Sequence, residues 1–228
     1  MSTIKTLAAH EIVRLTYPRP PPEDRDRIAM ATGKAIDGAL SQYGHLLRRG
    51  AHPSQASIAG LASDLLDEAL AEEAVTLSGA EKEATMHRIV ELLRAYRRSE
   101  IAGLTRPKTR VVLIEDRVGV YAQPDYWDGR RRFFEMKSFR AIPPPPDVAL
   151  QLRLFQLAFP SMEAVLVCLD RHATPVTTTS TVVPNPTADE AGATLRLAYD
   201  LGLQHGQEKV LEYVDGPVVR YALPARTA

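Results

Sequence analysis

The stretch QPDYWDGRRRFFEMK, residues 123–137, brings Pro-Asp, an Asp-Gly pair, consecutive arginines at 130–132 and Glu-x-Lys into one short run. Read structurally, it is a β-hairpin with a charged tip. Read chemically, it offers two carboxylates and an amine for divalent-metal chemistry on a phosphodiester. The register of the hairpin separates the two readings. Glu135 and Lys137 are two apart on a strand and share a face. A two-residue Asp128-Gly129 turn would pair Trp127 with Arg130 and Asp125 with Arg132, and Glu135 would point away from Asp125. A three-residue loop over 127–129 puts Asp125 and Glu135 on one face but displaces them along the strands. A five-residue loop over 128–132 sets them directly opposite, with Cβ atoms about 4.5–5.5 Å apart. The expectation is that loop, or a bulge with the same effect.

In that register Asp125 and Glu135 present hard oxygen ligands suited to Mg²⁺ or Mn²⁺. The backbone carbonyl of Met136 points sideways between them as a further ligand. Such a metal lowers the pKa of a bound water and offsets charge on a scissile phosphate. Lys137 beside it can orient the attacking water or stabilise the pentavalent transition state. Arg130, Arg131 and Arg132 at the rim either contact a passing phosphate backbone or form a solvated tip.

Outward from the hairpin, the period of the apolar residues changes along the chain. Residues 27–49, 54–74 and 79–104 show the three-and-four spacing of helices, the second opening on Ser54 as N-cap. Strands are expected over 109–116, 117–127 and 131–139. A helix over 147–159 follows, with Asp147 as its N-cap. Strands at 163–171 and 174–183, a helix from Thr187 to Gly206 and a terminal hairpin around Asp215-Gly216 complete the order. The proline-rich runs 17–27 and 142–148 read as an extended loop and a stiff connector. The fold class is α/β: a mixed sheet of four to five strands flanked by helices, with an N-terminal helical section forming one wall of a cleft. That section covers residues 1–104 and packs on a core over 105–228, as one compact domain overall.

Composition narrows the classes. A hydrophobic share of 45% with 25% charged residues is that of a folded globular chain. No apolar run approaches a membrane span and the N-terminus has no signal-peptide pattern, so a cytoplasmic protein without membrane association is expected. The 28 Lys and Arg balance 28 Asp and Glu, so net charge names no polyanion partner. The single cysteine, Cys168, forms no disulfide or cluster by itself and reads as a small core residue. The histidines show no ligand spacing with a carboxylate on one face. His87 and Glu91 read as a solvated helix face. Tyr126 and Trp127 either stack on a base or pack the hairpin.

Pro124-Asp125 and Glu135-Met136-Lys137 match the PD-(D/E)XK pattern, and the chain resembles that restriction-endonuclease-like nuclease superfamily. Gln151, followed by Phe155 on the helix just after the motif strand, resembles the Q-x-x-x-Y signature of its RecB-like exonuclease branch. GKAID, residues 33–37, resembles that branch's G-x-x-x-H motif, with Asp37 where the branch has a metal-ligating histidine. The likeness spans roughly residues 30 to 170. It implies a restriction-endonuclease-like core and Mg²⁺- or Mn²⁺-dependent hydrolysis of DNA phosphodiester bonds. Asp125 and Glu135 would hold metal, Lys137 would serve the water and transition state, and Gln151 would support substrate. Asp37 is either a completing ligand or a surface residue. Phe155 lacks the branch's hydroxyl, and with the branch's cysteine cluster absent no iron–sulfur cluster is expected. The implied substrate is DNA, single- or double-stranded, and the implied work is exonuclease or end processing in repair, recombination or defence, with partner proteins from those processes; the oligomeric state is open. The competing expectation is a catalytically decayed nuclease fold that binds nucleic acid or assembles other proteins.

Overall fold

The structure, a computed structural model, describes residues 3–18, 24–139, 141–210 and 216–224. Six helices and two mixed sheets make up its α/β architecture. The chain opens with strand β1 (Thr3–Ala8) and helix α1 (Ala9–Thr16), neither expected from the sequence. The expected helices follow as α2 (Asp24–Arg48), α3 (Gln55–Glu72) and α4 (Gly79–Arg98). The middle runs β2 (Arg110–Ile114), β3 (Val118–Ala122), β4 (Tyr126–Trp127) and β5 (Arg132–Lys137). It continues through α5 (Pro146–Ala158), β6 (Glu163–Asp170) and β7 (Thr177–Val183) to α6 (Ala188–His205), β8 (Gln207–Val210) and β9 (Val218–Tyr221).

The single sheet of the sequence reading is two sheets. One has the order β8-β1-β3-β2-β9, the other β4-β5-β6-β7. The division falls inside the expected strand 117–127: β3 belongs to the first sheet and β4 to the second, with Gln123-Pro124-Asp125 between them. Proline has no N–H for a ladder, so Pro124 ends one set of pairings and the chain crosses to the other sheet. The first strand and turn of the expected terminal hairpin, residues 211–215, lie outside the described residues. β8 pairs antiparallel with β1 and β9 pairs parallel with β2, at opposite edges of the five-stranded sheet. Asp215 lies outside the described residues. α5 begins one residue earlier than expected: Pro146 opens it, and Asp147 sits in the first turn rather than at the cap. Proline is pre-set for that first position, and the Asp147 charge still faces the positive helix end. Ser54 and Thr187 cap as expected, each accepting a backbone N–H of its own first turn.

In the four-stranded sheet β6 and the apolar part of β5 are buried on both faces, while β7 at the edge is mostly exposed. Phe134, Val165, Val167 and Leu169 point into the core shared with α2, α3 and α4, while Phe133, Ala164, Leu166 and Cys168 point into the core shared with α5. The period-two alternation of β5 and β6 thus serves two apolar layers, which explains why β6 reads as a nearly continuous apolar run and β5 has adjacent phenylalanines at 133 and 134. Phe155 of α5 meets Phe133 edge-on, with ring centroids 6.3 Å apart. A buried phenyl ring fits that place without a hydroxyl partner.

α6 approaches the five-stranded sheet at Gly202, where an added Cβ would stand 2.3 Å from Val118 Cγ1. Alanine there gains about 1 kcal/mol of helix propensity. Forcing a methyl group into a packed β-branched neighbour costs about 1–3 kcal/mol or more. Gly202→Ala is therefore expected to lower the unfolding free energy by about 1–2 kcal/mol in a denaturant titration. An unchanged or raised midpoint would show that this close approach is absent.

Candidate active site

β5 pairs with β4 through Tyr126↔Phe134 and Trp127↔Phe133. That register leaves 128–132 as a five-residue loop and puts Asp125 in line with Glu135, as the sequence led us to expect. The loop is held from inside. Asp128 Oδ1 accepts the backbone N–H groups of Arg130, Arg131 and Arg132 at 2.8, 2.9 and 3.0 Å. Desolvation works against the Asp128 charge, but these donors outweigh it and lower the carboxyl to about 2.

β4 ends after two residues, so the edge of β5 beyond Phe134 is open. Asp125 fills the gap with its side chain: the Met136 N–H donates to Asp125 Oδ2 at 3.0 Å. On an extended strand the N–H and C=O of one residue face the same edge. The Met136 carbonyl therefore faces the Asp125 side. Glu135 is 3% exposed. Lys137 Nζ donates to Glu135 Oε1 at 2.8 Å and to Gln151 Oε1 of α5 at 3.0 Å. Gln151 thus works on the lysine, giving its ammonium a second acceptor beside the Glu135 carboxyl.

Asp37 comes from α2 and lines the same cleft, of about 270 Å³, as Asp125, Glu135, Met136 and Lys137. Its carboxyl opens to the cleft but is crowded by protein behind. That burial, then the charge of Asp125, raises its pKa against the pull of Lys137 and Arg171. Among the described residues, no three histidine, cysteine, aspartate or glutamate side chains stand grouped as one ligand set. Asp37 is brought to the cleft, across from the Asp125–Glu135 pair, without joining it.

Burial, and next the neighbouring Asp125, push the Glu135 carboxyl from 4.5 up to about 8, against the opposing effect of Lys137. Lys137 is itself raised: burial would lower it, and the adjacent Glu135 outweighs that. The pair is a carboxyl held near its neutral form by crowding and an amine held in its charged form. Two carboxylates forced together in a buried pocket make a place that a cation would relieve.

Arg130–Arg132 do not line this cleft. Arg132 ion-pairs with Glu100 at 3.2 Å and with Asp128 at 3.3 Å, and its guanidinium lies 5.2 Å from the Phe134 ring centroid. It braces the loop, and Arg130 and Arg131 are exposed at the hairpin tip. Three residues of strand, about 10 Å, separate Arg132 from Glu135. The cleft's arginines are two that the sequence reading did not single out. Arg106 approaches Asp125 Oδ1 at 3.7 Å, and Arg48 of α2 is fixed by a hydrogen bond to the Leu104 carbonyl at 3.2 Å. Neither lies in a motif; only the path of the chain between α4 and β2 brings Arg106 here. His87 and Glu91 lie away from the cleft lining, and Glu91 is paired with Arg94. Tyr126 is packed between Tyr96 and the cleft, with ring centroids 6.0 Å apart, and burial raises its pKa.

No protein-family model matches the chain, and no curated protein sequence matches it significantly. Among solved structures, a candidate exonuclease from Eubacterium rectale overlays with a TM-score of 0.44 and 12% identity, covering 72% of this chain and 73% of its own. A second, named SSO0001, overlays with a TM-score of 0.33 and 12% identity, covering 87% of this chain and 85% of its own.

The geometry makes a direct prediction for the metal-free protein. A carboxyl infrared band, assigned by its loss in Glu135→Gln, should change from the protonated to the ionised form near pH 8. Titration of that band near 4.5, the ordinary glutamate value, would show that Glu135 is neither buried nor crowded as described.

Proposed function

We propose that the protein is a Mg²⁺- or Mn²⁺-dependent nuclease that hydrolyses DNA phosphodiester bonds. The observation that carries this reading is the meeting of Asp125, Glu135 and Lys137 in one cleft, with the amine fixed between Glu135 and Gln151. The donor set suits a hard cation: two carboxylates and the Met136 carbonyl are all oxygen. Mg²⁺ commonly takes only one or two protein carboxylates and keeps waters for its remaining positions. Asp125, Glu135 and the Met136 carbonyl would hold the ion, with Asp37 facing it across the cleft. When bound, the cation supplies charge compensation for the phosphate and acidifies water.

The chain's own residues do the rest. To hold a cation Glu135 would lose its proton to water, and its second oxygen would still be free to pair with Lys137. Gln151 keeps the ammonium in place, aimed at the phosphate oxygens that gain charge as the bond to water forms. Asp125 is fixed by the Met136 N–H, so little side-chain ordering is left to the moment of binding. Arg48 and Arg106 at the cleft wall would neutralise phosphates on one side of the reacting one. Exonuclease or end-processing work in repair, recombination or defence is the setting we assign to this chemistry.

The test is cleavage of end-labelled linear and closed-circular DNA, single- and double-stranded, in Mg²⁺, Mn²⁺ or EDTA. Metal-dependent cutting is expected, lowered about 10²–10⁴-fold by Glu135→Ala or Lys137→Ala. Gln151→Ala, which leaves the ammonium one acceptor, should cost about tenfold. A folded wild type that binds DNA but cuts no substrate would instead point to a decayed site with a binding role.

Metal affinity should also depend on pH in a defined sense. Glu135 is protonated below about 8 in the metal-free fold and must be ionised to bind. Mn²⁺ affinity, read by titration calorimetry, is expected to rise about tenfold per pH unit up to about 8 and to flatten above. Affinity independent of pH across that range would remove Glu135 from the ligand set.

A further inference from the structure

A second pocket, of about 370 Å³, lies between α2, α4 and the connection from β6 to β7. Its polar lining is Thr32, Thr85, Arg88, Arg171 and His172, and no carboxylate lines it. Arg88 is fixed by donating from Nη1 to the Ala173 carbonyl at 2.8 Å. A guanidinium carries five N–H donors, so anchoring through one nitrogen leaves a fork for an anion. Arg171 Nε faces His172 Nε2 at 3.3 Å. Among the described residues neither arginine has a carboxylate ion pair. Two arginines and two hydroxyls around a concave space, with no carboxylate in its lining, have the chemistry of a phosphate site.

The pocket adjoins the cleft along one helix. Ala29 and Thr32 of α2 line the pocket; Asp37, Leu40 and Arg48 of α2 line the cleft. At 1.5 Å of rise per residue, Thr32 lies about 7.5 Å along the axis from Asp37 and about 24 Å from Arg48. Arg171 is close enough for its charge to act on Asp37. Along α2 the order is therefore a basic pocket, the acidic centre, and the Arg48–Arg106 pair. A strand with its reacting phosphate at the acidic centre would have neighbouring phosphates against arginine on both sides. The cleft, of about 270 Å³, is near the lower end of small-molecule sites, which suits one strand rather than a duplex.

We propose that the pocket formed by Thr32, Thr85, Arg88, Arg171 and His172 is a second phosphate-binding site. It grips the backbone of a single nucleic-acid strand about two to three nucleotides from the bond presented to the cleft, at about 3.4 Å per stacked nucleotide. The proposal rests on the nuclease reading for its direction along the strand, but its test uses binding without turnover. Binding of a ladder of fluorescent single-stranded oligonucleotides of increasing length is measured with Ca²⁺ in place of the catalytic metal, at several salt concentrations. The wild type, Arg88→Ala and Arg171→Ala are compared after a melting check of each. Arg88 also braces the 171–176 connection, so Arg171→Ala, on the connection itself, is the variant that keeps the test clean if Arg88→Ala is poorly folded.

Wild-type affinity is expected to climb with length and level off once the strand reaches the pocket. Each substitution should lower the plateau affinity about tenfold, shorten the length at which it is reached, and reduce the slope of log affinity against log salt by about 0.7. The shortest strands should bind wild type and variants alike. Equal length dependence and equal slope in wild type and Arg171→Ala would overturn the proposal, as would a wild type with no length dependence. Stronger binding of the matching duplex, with the same losses, would overturn its assignment to a single strand. Failure of metal-dependent cleavage with these binding results intact would remove the catalytic reading and leave the phosphate site standing.

Discussion

The hydrogen bond from the Met136 N–H to Asp125 Oδ2, 3.0 Å long, is the constraint on which the site depends. β4 is too short to cover the edge of β5, and an uncovered buried N–H would cost about 1–3 kcal/mol. Asp125 meets that need with a carboxylate, and so is fixed beside Glu135 by the requirements of the sheet itself. The five-residue loop makes this register the only consistent one. Asp128 takes three consecutive N–H groups, and a slip by one residue would break all three bonds while sending Glu135 and Lys137 to the other face. Loop chemistry and site chemistry are thus one set of contacts read at two ends of a hairpin.

The Glu135–Lys137 pair sets a cost against this. Two ionisable groups buried among apolar layers lose solvation that their mutual attraction recovers only in part. Asp125 adds a like charge, which is why the glutamate rises to about 8. A pair kept for stability would not be placed beside a second carboxylate. The surrounding sheet tolerates the strain because Phe133 and Phe134 anchor β5 in both apolar layers, one residue before the charged positions begin. The apolar half of the strand supplies the rigidity that the polar half uses.

What was legible in the sequence was local. Period two placed Glu135 and Lys137 on one face, loop arithmetic placed Asp125 opposite, and helical spacing delivered Gln151 from the next element. The role of Gln151 was less visible, because its contact with Lys137 depends on how α5 lies across β5. The errors were of longer range or of competing local rules. Residues 117–127 carry strand-forming residues throughout, and only the missing N–H of Pro124 divides them between two sheets. β8 and β9 each pair with a strand far away in the sequence, β1 and β2, which no local signal names. At α5 a proline suited to the first helical position overrode the aspartate suited to the cap. The arginine run at 130–132 drew attention, whereas the arginines that meet the cleft, Arg48 and Arg106, come from distant parts of the chain and converge only through packing.

That contrast bears on how a chain of zero net charge can address a polyanion. Net charge is a poor guide when charges are sorted in space. Much of the acidic surface is matched locally: Lys34 with Glu72 and Glu73, Lys82 with Asp67, Arg153 with Glu190. Such exposed pairs contribute little to stability, but they cancel one another's field within about 8–10 Å at physiological salt. The guanidinium groups of Arg48 and Arg88 are held instead by backbone carbonyls, which fix their position without neutralising them. Arg106 reaches its nearest carboxylate at 3.7 Å and is 63% exposed, so that contact restrains it only loosely. Positive charge therefore persists on the α2 side of the cleft although the net charge is zero, and a phosphate backbone would meet a directed field there.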